Sequence, residues 1–356
     1  MRSVIHPRPS PIVAAMYTLR DMDVDVIVVH GPSGCSFMAS RPLENADVRV
    51  VTTSMRDNDL IFGASEPLIN TLKQVEERFH PETVAVIGTC ASMIIGEDMA
   101  SAIRKAKVDA NVFPVDVHAC MGDNTRGAIK ALEAGRDAGI IDSDECSRQI
   151  SLMKAATRLE KDAGMASKDY IKPASSPTKL YVCKRIVEVL SEGGRVAVVM
   201  DAKKELAYRF ADMFEAVDRA SRKLGGETLF VANLDAGKGL PRIRGYCRDI
   251  LADLESKGVG IDRIVGGLDE YSVVGEQMRS AVDEFSPDLT IILGICHAVP
   301  GMGADDILIT DQPRQLANYL NTGCQWAVGE IASHSMVMGA HSIVPLETAD
   351  TLRELL

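Results

Sequence analysis

The sequence predicts a protein of the α/β class, built from doubly wound, Rossmann-like parallel sheets. Short runs rich in β-branched residues recur along the chain, and segments with helical periodicity follow them. The composition, with 46% hydrophobic and 25% charged residues, is that of a folded globular protein. At 356 residues, the chain is long enough for two or three domains of this kind.

The predicted strands are distributed over both halves of the chain. In the first half they lie at residues 24–29, 48–53, 83–87 and 111–115. In the second half they lie at 195–199, 227–231 and 289–293. Amphipathic helices are predicted at 66–79, 98–106, 125–134 and 203–224, and the tail at 347–356 is also helix-prone.

The stretch from Ser151 to Pro177 lacks strand character and ends in KPASSPTK, a Pro- and Ser-rich sequence typical of a linker. We therefore expect a domain boundary near residue 175. The first domain would span 1–175, and a second α/β domain would span 176–356. The C-terminal helix could then pack back on the first domain.

Charge and hydropathy exclude two classes of partner. A net charge of −11 argues against binding to a nucleic-acid backbone, which requires clustered Lys and Arg. The longest apolar runs are far shorter than the roughly 20 residues of a membrane span. The first twenty residues contain three prolines and no continuous apolar segment, so a secretory signal is not expected, and we predict a cytoplasmic protein.

Several of the eight cysteines directly follow predicted strands, namely Cys35, Cys90, Cys120 and Cys296. The carboxyl ends of parallel strands border the functional crevice of such folds, so these thiols are candidates for metal or redox chemistry. Buried structural cysteine remains the alternative for each of them. No C-x-x-C pair is present, so a metal site would have to combine distant residues. We assign packing roles to Cys146, Cys183, Cys247 and Cys324.

Histidines accompany these cysteines, but a nucleotide loop is missing. His30 and His118 precede candidate cysteines, and His297 is adjacent to Cys296, which allows supporting or substrate-binding roles. GPSGCS lacks the lysine of a phosphate-binding loop, and DAGKGL lacks the Ser or Thr that should follow it. ATP or a nicotinamide, if one is used, should therefore bind elsewhere or to another chain.

Four segments in the first half carry a family resemblance. They are HGPSGC at 30–35, DLIFGA at 59–64, IGTCASMIIGEDM at 87–99 and FPVDVHACMGD at 113–123. Their order and spacing resemble the nitrogenase MoFe-protein superfamily, whose members are nitrogenase component 1 chains, cofactor scaffolds and tetrapyrrole reductases. The resemblance covers about the first 125 residues, and only the α/β pattern agrees beyond the linker.

Within that superfamily, the short chain is most similar to the catalytic components of nickel-tetrapyrrole reductive cyclases in coenzyme F-430 biosynthesis of methanogenic archaea. This similarity implies a reduction and lactam closure of Ni-sirohydrochlorin a,c-diamide. It also implies a nitrogenase iron-protein-like reductase that hydrolyses ATP and supplies electrons. Another nitrogenase-like tetrapyrrole reductase and a non-catalytic scaffold for cluster assembly remain open as alternatives.

The resemblance further implies that Cys35 and Cys90 bind a [4Fe-4S] cluster, with Cys120 as a less secure ligand. Longer superfamily members have one more cysteine upstream, where this chain reads HPRPSPIV. Two thiolates cannot complete the four-thiolate shell, so we expect a homodimer with the cluster at its interface.

Other residues near the candidate cysteines are further candidates for the site. Contact with the cofactor or substrate is expected for His30, Gly34 and Cys296. The candidate proton donors are His297, Glu97 and Asp98. For the two acids, the alternative is a structural role at a helix N-terminus.

Overall fold

The computed structural model describes residues 10–35, 37–163, 177–270, 273–295, 299–301, 303–311, 325–330, 337 and 339–356. These residues form two compact units. The first contains the described residues up to 163 together with 240–242, and the second contains 177–239 and the residues from 243 onward. Among the described residues, no helix combines the length and the apolar character required to cross a bilayer.

The first unit is built on a four-stranded parallel sheet with the order β2-β1-β3-β4. Its strands are β1 Val26–Val29, β2 Arg49–Thr52, β3 Thr83–Ile87 and β4 Asn111–Val115. Its helices are α1 Pro11–Asp21, α2 Phe37–Glu44, α3 Asp57–Phe62, α4 Ser65–Phe79, α5 Cys90–Ile94, α6 Met99–Ala106, α7 Asn124–Asp137 and α8 Ser143–Ala163. A 3₁₀ turn at Ser33–Cys35 joins β1 to the start of α2.

The second unit is built on a six-stranded parallel sheet with the order β10-β9-β8-β5-β6-β7. Its strands are β5 Arg195–Asp201, β6 Glu227–Ala232, β7 Arg263–Ile264, β8 Leu289–Gly294, β9 Ile307–Thr310 and β10 Ala327–Gly329. Its described helices are α9 Pro177–Ser191, α10 Ala207–Phe210, α11 Asp212–Leu224, α12 Pro241–Ser256, α13 Gly275–Phe285 and α14 Glu347–Glu354. The first residues of α12 belong to the segment 240–242, which is grouped with the first unit. The helix α14 packs against α9 and α11.

Both sheets are doubly wound, which confirms the predicted fold class. In the first sheet β1 lies between β2 and β3, and in the second β5 lies between β6 and β8. The strand order therefore reverses at β1 and at β5, as in mononucleotide-binding folds. Every residue of β1 and of β8 is buried, which explains why these strands are continuous apolar runs.

Each predicted strand is present, and the differences lie in shorter elements. The unpredicted strands β7, β9 and β10 are two to four residues long, too short for a clear pattern. The predicted helix at 203–224 is divided into a 3₁₀ turn at Lys204–Leu206 and the helices α10 and α11. Lys204, at the start of the turn, has a left-handed φ of 45°. Pro177 begins α9 instead of ending a linker, and the expected boundary near 175 lies outside the described residues.

Candidate metal centre

The candidate cysteines of the first unit lie at one edge of its sheet. The strands β1, β3 and β4 are neighbours in parallel, so their carboxyl ends point the same way. Cys35 ends the 3₁₀ turn after β1, Cys90 begins α5 after β3, and Cys120 lies in the loop after β4. Cys35 and Cys90 are half-buried, whereas Cys120 is exposed.

A buried threonine joins the loops that carry Cys35 and Cys90. Thr89 caps α5, and its side chain accepts a hydrogen bond from the Ser92 amide while Ser92 Oγ accepts one from the Thr89 amide at 2.8 Å. Thr89 Oγ1 also donates to the His30 carbonyl at 3.0 Å. A Cβ placed on Gly31 would lie 2.4 Å from Thr89 Oγ1, so only glycine fits at this close approach.

Cys90, His118 and Cys120 form a cluster of potential metal ligands. One donor atom from each lies within 4.8 Å of the donor atoms of the other two. The Ala119 amide donates a hydrogen bond to Cys90 Sγ at 3.2 Å, which orients the sulfur toward the loop after β4. His118 Nδ1 is buried and has no hydrogen-bond partner within the part of the chain that the structure describes.

The electrostatics of the thiols reflect their closeness. Burial raises the pKa of the Cys35 thiol, and the charge of Cys90 raises it further. A hydrogen bond to Cys90 raises the pKa of Cys120, and the charge of Cys90 adds to this effect. A bound cation would offset the repulsion between neighbouring thiolates.

His30 and Glu97 form a buried structural pair beside these loops. His30 Nδ1 lies 3.2 Å from Thr53 Oγ1, and its Nε2 lies 3.8 Å from Glu97 Oε2, an ion-pair distance longer than a hydrogen bond. Glu97 Oε1 accepts a hydrogen bond from the Ala64 amide at 2.5 Å. Burial lowers the pKa of His30, and Glu97 opposes this shift. The His30 side chain is fully buried and that of Glu97 is 8% exposed, so both residues make internal contacts.

The remaining predicted residues have different surroundings. Asp98 is the N-cap of α6 and accepts a hydrogen bond from the Ser101 amide at 2.9 Å, which is the structural role considered as its alternative. Gly34 is exposed in the 3₁₀ turn, with open space around it among the described residues. Cys296 and His297 lie outside the described residues. Cys146, Cys183 and Cys247 are buried, as their packing roles require.

The sequence reasoning missed a group of exposed apolar side chains between residues 37 and 94. We call it the apolar collar, and it consists of Phe37, Leu60, Ile61, Phe62, Met93 and Ile94, all exposed. Phe62 is 84% exposed and Ile94 is 76% exposed. The Ala64–Glu97 hydrogen bond connects the end of α3 to the loop after α5. The run of adjacent apolar residues at 60–62, which fits no amphipathic helix, was the available signal.

This donor set fits an iron–sulfur cluster chemically. Thiolates are the ligands that such clusters use, and Cys35 and Cys90 present them at one sheet edge. Cys120 adds a third thiol beside Cys90.

Comparison with known proteins shows which proteins this chain resembles. Residues 10–161 match the family of nitrogenase component 1 type oxidoreductases. The chain is 43% identical over 353 residues to the Ni-sirohydrochlorin a,c-diamide reductive cyclase complex component CfbD of Methanothermobacter thermautotrophicus, covering 98% of each chain. It is 44% identical over 360 residues to CfbD of Methanosarcina acetivorans, covering 99% of this chain and 97% of that one.

A more distant relative matches only part of the chain. The nitrogenase molybdenum-iron protein beta chain of Methanococcus maripaludis is 36% identical over 102 residues, which is 27% of this chain and 22% of that one. The near-full-length identities, by contrast, include both units. They confirm the resemblance predicted from the motifs. Residues 10–161 carry the match to the nitrogenase component 1 type oxidoreductases, and the chain as a whole belongs to the family of CfbD components of Ni-sirohydrochlorin a,c-diamide reductive cyclase complexes.

Proposed function

We propose that this chain is the catalytic component of an ATP-dependent reductive cyclase that acts on Ni-sirohydrochlorin a,c-diamide in coenzyme F-430 biosynthesis. The observation that carries the proposal is the identity of 43% over 98% of both chains to a named component of that complex. In this reaction the macrocycle is reduced and an acetamide side chain closes into a lactam. The thiol-rich sheet edge of the first unit supports a redox role.

Cys35 and Cys90 are the proposed ligands of a [4Fe-4S] cluster, with Cys120 as a further candidate. When bound, such a cluster supplies single low-potential electrons. The Ala119 amide, which donates to Cys90 Sγ, would stabilise the negative charge on that sulfur. Thr89 would fix the spacing between the two loops that carry Cys35 and Cys90.

A second copy of this chain is the proposed occupant of the apolar collar. Cys35 and Cys90 supply half of a four-thiolate shell, and a two-fold axis beside them would supply the other half. The collar is apolar rather than charged, which suits a lasting interface between identical chains. Iron and sulfide analysis together with the mass of the anaerobic protein tests this arrangement. We expect about four iron atoms per dimer; about eight per dimer, or a monomer with a full cluster, would contradict it.

The proposed source of electrons is a separate ATPase that resembles the nitrogenase iron protein. The sequence contains no phosphate-binding loop, so nucleotide hydrolysis falls to the partner. The partner would dock near Cys35 and Cys90, because electron transfer becomes much slower with distance. Such transient interfaces are small. Tight, saturable binding of ATP to this chain alone would contradict the proposed division of labour.

The second unit is the proposed site of tetrapyrrole binding. Ligands of open α/β sheets bind beyond the carboxyl ends of strands where the strand order reverses, which here is at β5 and β8. The segment after β5 contains Lys203 and the buried Lys204, whose Nζ lies 2.7 Å from Glu270 Oε2. Lysine side chains at this edge could interact with carboxylates of the substrate.

One anaerobic experiment tests the function against its alternatives. The protein is mixed with Ni-sirohydrochlorin a,c-diamide, the reductase partner, ATP and a reductant, and the product is followed by absorption spectroscopy and mass spectrometry. A reduced, lactam-containing product supports the cyclase. Reduction without ring closure would indicate another tetrapyrrole reductase, and an unchanged tetrapyrrole would favour a scaffold. Cys35→Ala should abolish turnover, whereas Cys146→Ala, which alters a buried thiol in α8, serves as the matched control.

A further inference from the structure

The cluster of Cys90, His118 and Cys120 has a geometry of its own. Two of its donors come from one short stretch, His118-Ala119-Cys120, after β4, and the third begins α5 after β3. The two strands are adjacent and parallel, so the sheet itself fixes the separation of the two loops. The Ala119 amide, between the two loop donors, hydrogen-bonds to Cys90 Sγ and holds the loop against the third donor.

The donor atoms lie close enough together to share one ion after a small adjustment. With Zn–S bonds of about 2.3 Å and tetrahedral angles, two sulfurs on one ion lie about 3.8 Å apart. The observed limit of 4.8 Å for all three donors is compatible with this value after a small adjustment. Thiolates of a [4Fe-4S] cluster bind different irons and point outward, which places them farther apart than thiolates on a single ion.

The polar atoms of the cluster also indicate a ligand. His118 Nδ1 is buried, and none of the described residues offers it a hydrogen bond. A buried polar atom without a partner is costly, so such an atom on the imidazole that lies beside two thiols indicates an unfilled interaction. Cys120 is exposed, so an ion has a route to the site from solvent.

We propose that Cys90, His118 and Cys120 form a site for a single soft divalent transition-metal ion in the cluster-free chain. Two thiolates and one imidazole suit Zn²⁺, and they also suit Co²⁺ or Fe²⁺ of similar size. The fourth position stays open to water or an added ligand. The site shares Cys90 with the proposed cluster ligands, so one Cys90 sulfur cannot serve both arrangements independently. This inference goes beyond the proposed electron-transfer function and does not depend on it.

Cobalt binding to the cluster-free, reduced and untagged protein tests the site. Co²⁺ bound to thiolates in a tetrahedral site gives intense visible bands and a near-ultraviolet charge-transfer band. We expect one Co²⁺ per chain, displaced by Zn²⁺. Removal of a residue that only orients a metal ligand lowers metal affinity by about 10- to 100-fold. Cys120→Ala and His118→Ala each remove a ligand itself, so each should weaken Co²⁺ binding by more than that.

Two control variants separate this site from the proposed cluster. Cys35→Ala removes a proposed cluster ligand that does not belong to the set Cys90, His118 and Cys120. The Co²⁺ affinity of this variant should therefore stay within about two-fold of that of the parent protein, a much smaller change than the loss of a ligand causes. Cys146→Ala, in the buried part of α8, should behave in the same way. Because Cys120 is exposed, its replacement should not impair folding, and circular dichroism verifies this.

Specific results would overturn the inference. Loss of Co²⁺ binding in Cys35→Ala, or a stoichiometry of one Co²⁺ per two chains, would place the ion between Cys35 and Cys90 of two subunits. Unchanged affinity in Cys120→Ala, or no thiolate charge-transfer band in the parent protein, would also refute it. Cluster content, measured separately by iron analysis after reconstitution, keeps a failure of this site distinct from a failure of the proposed function.

Discussion

The contact between Gly31 and Thr89 gives a sharp test of how the two cysteine loops are held together. A methyl group on Gly31 would lie 2.4 Å from Thr89 Oγ1 and 2.6 Å from Thr89 Cγ2. Thr89 is fully buried and cannot turn away without losing its hydrogen bond to the His30 carbonyl. Gly31→Ala should therefore lower the free energy of unfolding by about 2–3 kcal/mol, the upper range for overpacking.

The matched variant at Thr89 shows whether this contact is the cause. Thr89→Ala alone loses the cap of α5, about 1 kcal/mol, and a buried hydrogen bond, about another 1 kcal/mol. The double variant combines Gly31→Ala with Thr89→Ala. In it the two close Thr89 atoms are gone, and the nearest remaining atom, Cβ of residue 89, lies 3.0 Å from the Cβ added at Gly31. The double variant should therefore be about 2 kcal/mol more stable than the sum of the single effects predicts.

Urea unfolding of the cluster-free protein measures these differences. Hydrogen exchange of the segment at 83–99 should be followed in parallel, because the second unit can unfold separately. Faster exchange in Gly31→Ala and its partial recovery in the double variant are the expected results. If the change in the free energy of unfolding of the double variant equals the sum of the two single changes to within about 0.5 kcal/mol, Gly31 and Thr89 are not coupled and the reasoning is refuted.

Further predictions concern the cluster, the dimer and pH. Cys35→Ala and Cys90→Ala should each abolish cluster absorbance in a chain that stays folded, and Cys146→Ala should leave the absorbance intact; a retained cluster in Cys90→Ala would disprove the ligand assignment. Phe62→Asp, at a side chain 84% exposed, should weaken the dimer at least about 10-fold in sedimentation experiments without destabilising the monomer. Burial lowers the pKa of His30 in the folded chain. As pH falls below about 6.5, His30 of the unfolded chain therefore binds a proton more readily than His30 of the folded chain, and the free energy of unfolding should decrease. His30→Gln should show a smaller decrease in urea unfolding between pH 7 and pH 5, and an unchanged pH dependence would contradict this.

The sequence predicted those features that local pattern determines. The strand at 83–87 was located to the residue because its buried run is continuous and ends at a glycine. The positions of Cys35 and Cys90 at one sheet edge followed from the rule that functional residues lie at strand carboxyl ends. The motifs also led to the correct family.

Features that depend on contacts between distant residues were not predictable. Glu97 was considered as a proton donor, yet its carboxylate accepts from the Ala64 amide, 33 positions away, and lies beside His30. No local pattern in the sequence indicates that contact. The closeness of Cys120 to Cys90 likewise depends on β4 lying beside β3, and the sequence alone did not establish that order.

The strand order of the first sheet gives Cys90 a special position among the thiols. The strand β3 lies between β1 and β4, and a cysteine follows each of these strands. Cys90, which follows the middle strand, contributes to the raised pKa of Cys35 on one side and of Cys120 on the other. Both the proposed cluster and the proposed single-ion site therefore require Cys90, whereas each requires only one of its neighbours. Loss of Cys90 should therefore remove both forms of metal binding. Loss of Cys35 should remove the cluster and leave the single-ion site, whereas loss of Cys120, the less secure cluster ligand, should remove the single-ion site.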